Sequence, residues 1–323
     1  MNQSSKINKV KSLISKNRLH LFCPGSCNTK LIVLKNKLKC TNKKCIHSKR
    51  NFFFSIKYKT PILISEENCD TLCSSDIKKK YVVRNDYSNF LRNIVYGVNP
   101  ITKKNCQKFL NLTLEHTSMP LVLVIGSGEI GNGTERMFKN KKVKLIGVDI
   151  YENENVDIIC DGHYLPFNKN SFDGVWIQAV LEHVVEPNKV VSEIYRVLKK
   201  GGVVYAETPF MQQVHEGKYD FTRFTILGHR YLFKKFKTID FGGTKGAEVV
   251  LAWSLKYFVW GLFRSKILSS ILGVLFYLIF SPFKYFLSKS SMYDSCSGSF
   301  FLGKKSNKVL THKELINLYK GNM

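Results

Sequence analysis

Leu121-Val122-Leu123-Val124-Ile125-Gly126-Ser127-Gly128-Glu129-Ile130-Gly131 sets five consecutive apolar residues directly before a glycine-rich turn. Leu, Val and Ile without alternation are the pattern of a parallel strand covered on both faces. The spacing Gly126-x-Gly128-x-x-Gly131 then lets the backbone approach a ligand closely before a helix starts. Turns of this kind occur in many chains, so the neighbouring residues decide what this one holds.

Downstream, Val143-Lys144-Leu145-Ile146-Gly147-Val148-Asp149 reads as a second strand that ends on a carboxylate. An acidic side chain there can accept both hydroxyls of a ribose whose other end lies over the glycine turn. This fits a nicotinamide dinucleotide and S-adenosylmethionine (SAM) equally. A third short strand, Val156 to Cys160, ends at Asp161-Gly162, where a second carboxylate can accept from an adenine amino group, a contact that suits a monoadenosyl ligand. Asp173 to Gln178 reads as a fourth strand, followed by Leu181-Glu182-His183. A helix then starts near Glu186-Pro187-Asn188 and stops at Lys200-Gly201-Gly202, with Pro at its start and Gly past its end. Val203 to Thr208 is the fifth strand. His183 reads as a residue that caps or packs the following helix.

The succession VIGSGEIG, GVD, DGHYLPF, SFDGVW, LEHV and EIYRVLKKGG runs in order from Val124 to Gly202. It is similar to the class I SAM-dependent methyltransferases of the UbiE-like kind. The resemblance implies a Rossmann-like, seven-stranded, mostly parallel α/β sheet with helices on both faces and one reversed strand. It also implies that Gly126, Ser127, Gly128 and Gly131 approach the amino-acid half of SAM. By the same resemblance Asp149, with Ile150 beside it, holds the ribose, Asp161 and Gly162 meet adenine, and Gln178 faces the methionyl moiety. The chain departs from the family at Val124, where an acidic residue is usual two places before the first glycine.

Methyl transfer to a nucleophilic acceptor needs mainly in-line positioning, while a hydroxyl acceptor also wants a base within hydrogen-bond reach. The segment Pro209 to Thr225 follows the fifth strand, where ligands of open α/β sheets sit, and contains His215, Glu216, Asp220 and Arg223. It resembles the P-F-x-x-x-x-H-E…Y-D-[FY]-x-R-[FY]-T signature of a subset of UbiE-like methyltransferases, many with an N-terminal zinc ribbon. His215 is the candidate base, and Asp220 and Arg223 shape the site; the alternative is an Asp220–Arg223 pair that only staples the loop.

The chain has 323 residues and a net charge of +26, and residues 1–60 hold 15 of its 50 basic residues and none of its 24 acidic ones. A cationic front end attracts nucleic acid phosphates or anionic lipid head groups, although a Lys/Asn-rich bias runs through the whole chain. Met1 to His20 lacks an apolar core of signal-peptide type, so the expectation is a cytoplasmic chain, peripheral to the inner face of the membrane. The nine cysteines are odd in number, which argues against a disulfide framework. Four of them, Cys23, Cys27, Cys40 and Cys45, form two close pairs around a short apolar hairpin, the donor set of a structural Zn2+. Cys69 and Cys73 form a further spaced pair. The order of Cys pairs, aromatic strand and Pro61-Ile62-Leu63 resembles the zinc-ribbon module related to the activator subunit of tRNA methyltransferases.

Beyond a sixth strand at Phe236–Phe241 comes an apolar block, Leu251 to Phe263, a basic break at Arg264-Ser265-Lys266, and seventeen uncharged residues from Ile267 to Phe283. Topology argues against a single membrane crossing, because Ser297 to Lys305 reads as the final strand and must return to the sheet. The block is then a cap over the pocket, a dimer interface, or a hairpin dipping into a membrane interface. The expected organisation is a basic ribbon-like module at 1–65, a linker with lead-in helices at 66–118, the SAM-binding core at 119–245, the apolar insertion at 246–290, and the final strand with a basic tail at 291–323. The methyl acceptor is unidentified: the apolar block favours a membrane-proximal saccharide or lipid-linked molecule, and the basic ribbon favours RNA or an RNA-associated protein. A non-catalytic SAM-fold binding module is a third reading.

Overall fold

The computed structural model describes Ser12 and residues 19–24, 27–34, 37–49, 53–57, 60–64 and 99–322. The expected linker, Cys69, Cys73 and any lead-in helix before residue 99 lie outside the described residues.

Eleven strands form one sheet: β1 (Leu31–Leu34), β2 (Lys37–Cys40), β3 (Phe53–Lys57), β4 (Thr60–Leu63), β5 (Leu121–Ile125), β6 (Lys144–Asp149), β7 (Ile158–Cys160), β8 (Phe172–Gln178), β9 (Leu198–Pro209), β10 (Phe236–Gly243) and β11 (Gly298–Lys305). Their spatial order is β1-β2-β3-β4-β7-β6-β5-β8-β9-β11-β10. From β7 to β9 the neighbours are parallel, and β11 runs antiparallel between β9 and β10. The seven strands β5 to β11, with β11 reversed, are the sheet the sequence implies. What the sequence does not show is that β4, the last strand of the N-terminal module, pairs in parallel with β7 through Ile62↔Ile159 and Leu63↔Cys160 and extends that sheet. A second tie is the amide of Phe22, which donates to Pro166 O at 2.9 Å.

All five residues of β5 are buried, as its unbroken apolar run requires, and they alternate between two faces. Leu121, Leu123 and Ile125 join Val190 and Ile194 of helix α3 (Pro187–Val197), in a cluster that continues into the ribbon through Leu21, Leu31 and Leu38. Val122 and Val124 face the opposite layer with Trp176, Tyr205, and Phe109 of helix α1 (Pro100–Leu114). Helix α1 starts cleanly because Asn99 Oδ1 accepts from the amides of Ile101 and Thr102 and Pro100 occupies a first-turn position that needs no donor. The helix after the glycine turn, α2, is short, Glu135–Lys139. Thr134 Oγ1 closes the turn before it by donating to Gly131 O at 2.6 Å.

The apolar block is a helical hairpin of α5 (Ala247–Phe263) and α6 (Lys266–Phe280), inserted between β10 and β11 after helix α4 (Ile226–Leu232). It leaves and rejoins the sheet at one point: the Thr244 amide donates to Gly298 O, and the Ser297 amide to Lys245 O, both at 2.8 Å. Only Ser269 and Gly273 of α6 are buried, so the two helices meet through small side chains, with Lys256 lying across Gly273. Much of the remaining surface is apolar and exposed, including Phe258 (67%), Leu262 (63%), Ile267 (78%) and Ile271 (62%). Lys266–Tyr285 is, among the described residues, the one helical stretch long and apolar enough to cross a membrane.

Candidate active site

The glycine turn opens at the carboxyl end of β5. Gly126 has φ +75°, and a Cβ there would meet Val180 Cγ2 at 2.2 Å, so both backbone handedness and space require glycine. Ser127 is buried, its hydroxyl 3.4 Å from Val148 O. The Gly128 amide donates to Asp149 Oδ2 at 2.8 Å, while Oδ1 of the same carboxylate accepts from Ile150 N at 2.7 Å and Tyr151 N at 3.3 Å. Burial raises the pKa of Asp149, and these three amides act against that rise by favouring the charged form. A carboxylate fixed this way beside the glycine turn fits the ribose of an adenosyl ligand.

Asp161 Oδ1 accepts from the His163 amide at 2.8 Å and lies 2.6 Å from His163 Nδ1; His163 Nε2 in turn accepts from the Glu186 amide at 3.3 Å. The buried His163 therefore ties the loop after β7 to the start of α3. Gly162 touches Val190 and Ile125 at ordinary contact distance. Gln178 ends β8 with its Oε1 directly against Gly131 and accepting from Trp176 Nε1 at 3.3 Å. The next residue, Ala179, is held at φ +52°, a conformation uncommon for a residue with a Cβ, and its amide donates to Glu207 O at 2.9 Å.

That turn leads into Glu182 and His183, which lie against the loop after β9. Glu182 is fully buried, neither carboxylate oxygen has a hydrogen-bond partner among the described residues, and burial pushes its pKa up to about 8. The loop Phe210–Thr225 folds back onto it: the Phe221 amide donates to Glu182 O at 2.8 Å, and His215 Nε2 lies 3.9 Å from Glu182 Oε1. His183 Nε2 is 3.7 Å from the same oxygen, and the two imidazole rings are 4.9 Å apart and nearly perpendicular. Asp220 Oδ2 accepts from the His215 amide at 2.9 Å, and Asp220 also pairs with Arg223, whose Nη2 donates to Oδ2 at 2.6 Å. Against the upward push of burial, the Arg223 guanidinium holds Asp220 below the usual carboxylate range. Arg223 further donates to Gln212 O at 3.1 Å, so the Asp220–Arg223 pair staples the loop and presents His215.

Two features escaped the sequence reading. His183, read as a capping residue, faces His215 across Glu182, a meeting of residues 32 positions apart that no local pattern shows. Glu207, inside the apolar run of β9, is half-buried and accepts from Tyr205 Oη at 2.5 Å and Thr102 Oγ1 at 2.8 Å; an acid in such a strand is the signal that marks it.

In the ribbon, the four predicted cysteines come together with their sulfurs within 4.8 Å of one another, Cys27 to Cys40 at 3.6 Å and Cys23 to Cys45 at 3.9 Å. A tetrahedral ion with bonds of about 2.3 Å requires sulfur separations of about 3.8 Å, so the donor set fits zinc. His47 Nδ1 lies 3.3 Å from Cys23 Sγ, a neighbour absent from the four-cysteine reading.

The family model described as "Methyltransferase domain" matches residues 123–206. The chain is 31% identical over 138 residues to Uncharacterized protein MJ1123 of Methanocaldococcus jannaschii, covering 38% of this chain and 67% of that protein. It is 34% identical over 89 residues to the ubiquinone/menaquinone biosynthesis C-methyltransferase UbiE of Desulfotalea psychrophila, covering 28% of this chain and 32% of that enzyme. Among solved structures, a putative sarcosine dimethylglycine methyltransferase from Galdieria sulphuraria is similar with TM-score 0.45 and 16% identity, covering 70% of this chain and 100% of that one. A complex of the Haloferax volcanii Trm112 methyltransferase activator with a putative methyltransferase is similar with TM-score 0.38 and 16% identity, covering 70% of this chain and 100% of that one. The protein belongs to the class I SAM-dependent methyltransferases.

Proposed function

We propose that this chain transfers the methyl group of SAM to a membrane-proximal saccharide or a lipid-linked molecule. The observation that carries the acceptor class is the joint between the catalytic loop and the apolar hairpin. Tyr257 Oη of α5 donates to Val214 O at 3.1 Å, and Gln213 Nε2 donates to Ser254 Oγ at 3.2 Å, at the two residues immediately before His215. A surface fit to enter a lipid interface thereby adjoins the acceptor side of the site. The aromatic residues Tyr257 and Trp260 and the cations Arg264 and Lys266 supply the anchoring chemistry of such an interface.

Bound at the glycine turn, SAM would supply an electrophilic methyl carbon, and in-line positioning of the acceptor would provide most of the acceleration. Asp149 with Ile150 would hold the ribose, Asp161 and Gly162 the adenine, and Gly126, Ser127, Gly128, Gly131 and Gln178 the methionyl half. Glu207 lies on the same sheet face as Val124 and would give the ammonium the negative charge that Val124 cannot. His215, with Glu182 and His183 behind it, is the part of the site suited to drawing the proton from a hydroxyl acceptor, and Asp220 and Arg223 position it. The four-cysteine ribbon would bind structural Zn2+, and we place the protein in the cytoplasm at the inner membrane face.

Sedimentation with anionic phospholipid vesicles tests the acceptor class together with tritiated SAM on fractionated lysate. The wild-type chain should pellet with vesicles, and a Leu262→Asp/Ile271→Asp variant should stay soluble, because both side chains are already exposed and their loss leaves the core intact. Label should enter the lipid extract. Label in RNA, or wild-type protein that remains in the supernatant, overturns the reading.

A further inference from the structure

Outside the SAM crevice, Glu182, His183 and His215 form a second constellation with the chemistry of a metal centre. Three donor atoms, one from each residue, lie within 4.8 Å of one another, and Glu182 Oε1 stands 3.7 Å from His183 Nε2 and 3.9 Å from His215 Nε2. A triangle of this size encloses a point about 2.0–2.5 Å from each donor, the range of N and O ligation to a divalent ion. Glu182 is wholly buried with both oxygens unpartnered among the described residues, a state that costs free energy unless something positive or protic meets it.

The ring nitrogens turned away from Glu182 face oxygen atoms of the loop after β9. His183 Nδ1 is 2.8 Å from Tyr219 O, which can only accept, so Nδ1 carries the proton and Nε2 keeps its lone pair toward Glu182. His215 Nδ1 lies 3.2 Å from Asp220 Oδ2, at ion-pair distance but outside hydrogen-bond geometry. Outer partners that fix a histidine in this way are the usual support of metal-ligating imidazoles. Asp220 is itself held by Arg223, so the support extends one layer further. The two imidazoles are about one-fifth exposed, which leaves a route in from solvent and open positions facing it.

We infer that Glu182, His183 and His215 bind one divalent first-row cation, with the remaining coordination positions open to water or to an acceptor oxygen. The facial set of two imidazoles and one carboxylate suits Mn2+, Fe2+, Co2+ or Zn2+. Such an ion would orient the acceptor and labilise its proton, and His215 would then act as a ligand and not as a free base. The catalytic part of this inference rests on the methyltransferase reading; the binding part does not.

The test is a Mn2+ titration of the full chain, followed by the loss of the free-ion electron paramagnetic resonance signal. Mn2+ avoids thiolate sites, so the ribbon does not compete, and its zinc content is measured in the same samples. SAM calorimetry on each variant reports whether the fold and the methyltransferase reading survive. One Mn2+ per chain should bind, and Glu182→Gln, which keeps the side-chain shape, and His183→Gln should each weaken it at least tenfold while SAM still binds. Absence of Mn2+ binding in the wild type, or equal affinity in both variants, overturns the inference even if SAM binds. Loss of SAM binding with Mn2+ retained would overturn the methyltransferase reading alone.

Discussion

Replacing Gly126 by Ala should damage the cofactor turn through two separable terms. At φ +75° a side chain brings the left-handed conformation, costing about 1–2 kcal/mol. The new methyl would lie 2.2 Å from Val180 Cγ2, and relieving such overpacking costs about 1–3 kcal/mol more. The expected loss of unfolding free energy is therefore about 2–5 kcal/mol, a fall in Tm of roughly 4–10 °C at the about 2 °C per kcal/mol of a larger domain. Because Val180 precedes Glu182 by two residues, the same displacement should weaken SAM binding in calorimetry. Removing the colliding methyl with Val180→Ala should recover only the packing term, so a double-mutant cycle should give a coupling of about 1–3 kcal/mol. A Gly126→Ala protein that melts and binds SAM like the wild type, or a cycle without coupling, would refute the geometry assigned to this turn.

Asp149→Ala should weaken SAM about 10- to 150-fold, the equivalent of about 1.5–3 kcal/mol for hydrogen bonds to a charged group, and equilibrium dialysis would measure it. Glu207→Gln should weaken SAM on the order of tenfold if this carboxylate answers the ammonium, as the absence of an acid at Val124 demands, and an unchanged Kd would dismiss that role. Metal analysis of the purified chain should find one zinc in the ribbon. Cys40→Ser should lose it and lower Tm, since Cys40 and Leu38 share a core with Leu21 and Phe167 and the damage reaches the β7 edge. His229 is buried with neither ring nitrogen hydrogen-bonded among the described residues, and burial pulls its pKa down to about 3. Its unfolded form takes up a proton near pH 6.5 and its folded form does not, so stability is full above that pH. It should then fall by about 1.4 kcal/mol per pH unit toward pH 3, and denaturation of His229→Phe should show a shallower acid slope.

The nucleotide-binding half was written in local pattern. An unbroken apolar run, a glycine spacing and carboxylates at strand ends are short-range signals, and each maps onto one element: β5, the turn at Gly126 and the Gly128 bond to Asp149. The four cysteines were equally legible, because knuckle spacing alone fixes which thiols can meet. The hydrophobic block announced two helices by length and composition, and the apolar residues of Ser297 to Lys305 announced the return to the sheet.

What the tertiary structure decided are meetings across sequence distance. The ribbon strand β4 completes the main sheet against β7, because a parallel pairing leaves no mark in either strand's own pattern. Glu182, His183 and His215 converge only once the loop after β9 folds back on the end of β8, held by the Asp220–Arg223 pair and by amides on Glu182 O. The hairpin adjoins that loop through two side-chain hydrogen bonds which sequence cannot supply. Sequence determined the strand, the turn and the cofactor class because those depend on neighbours along the chain. Packing decided the acceptor side, where the partners are brought together by the fold.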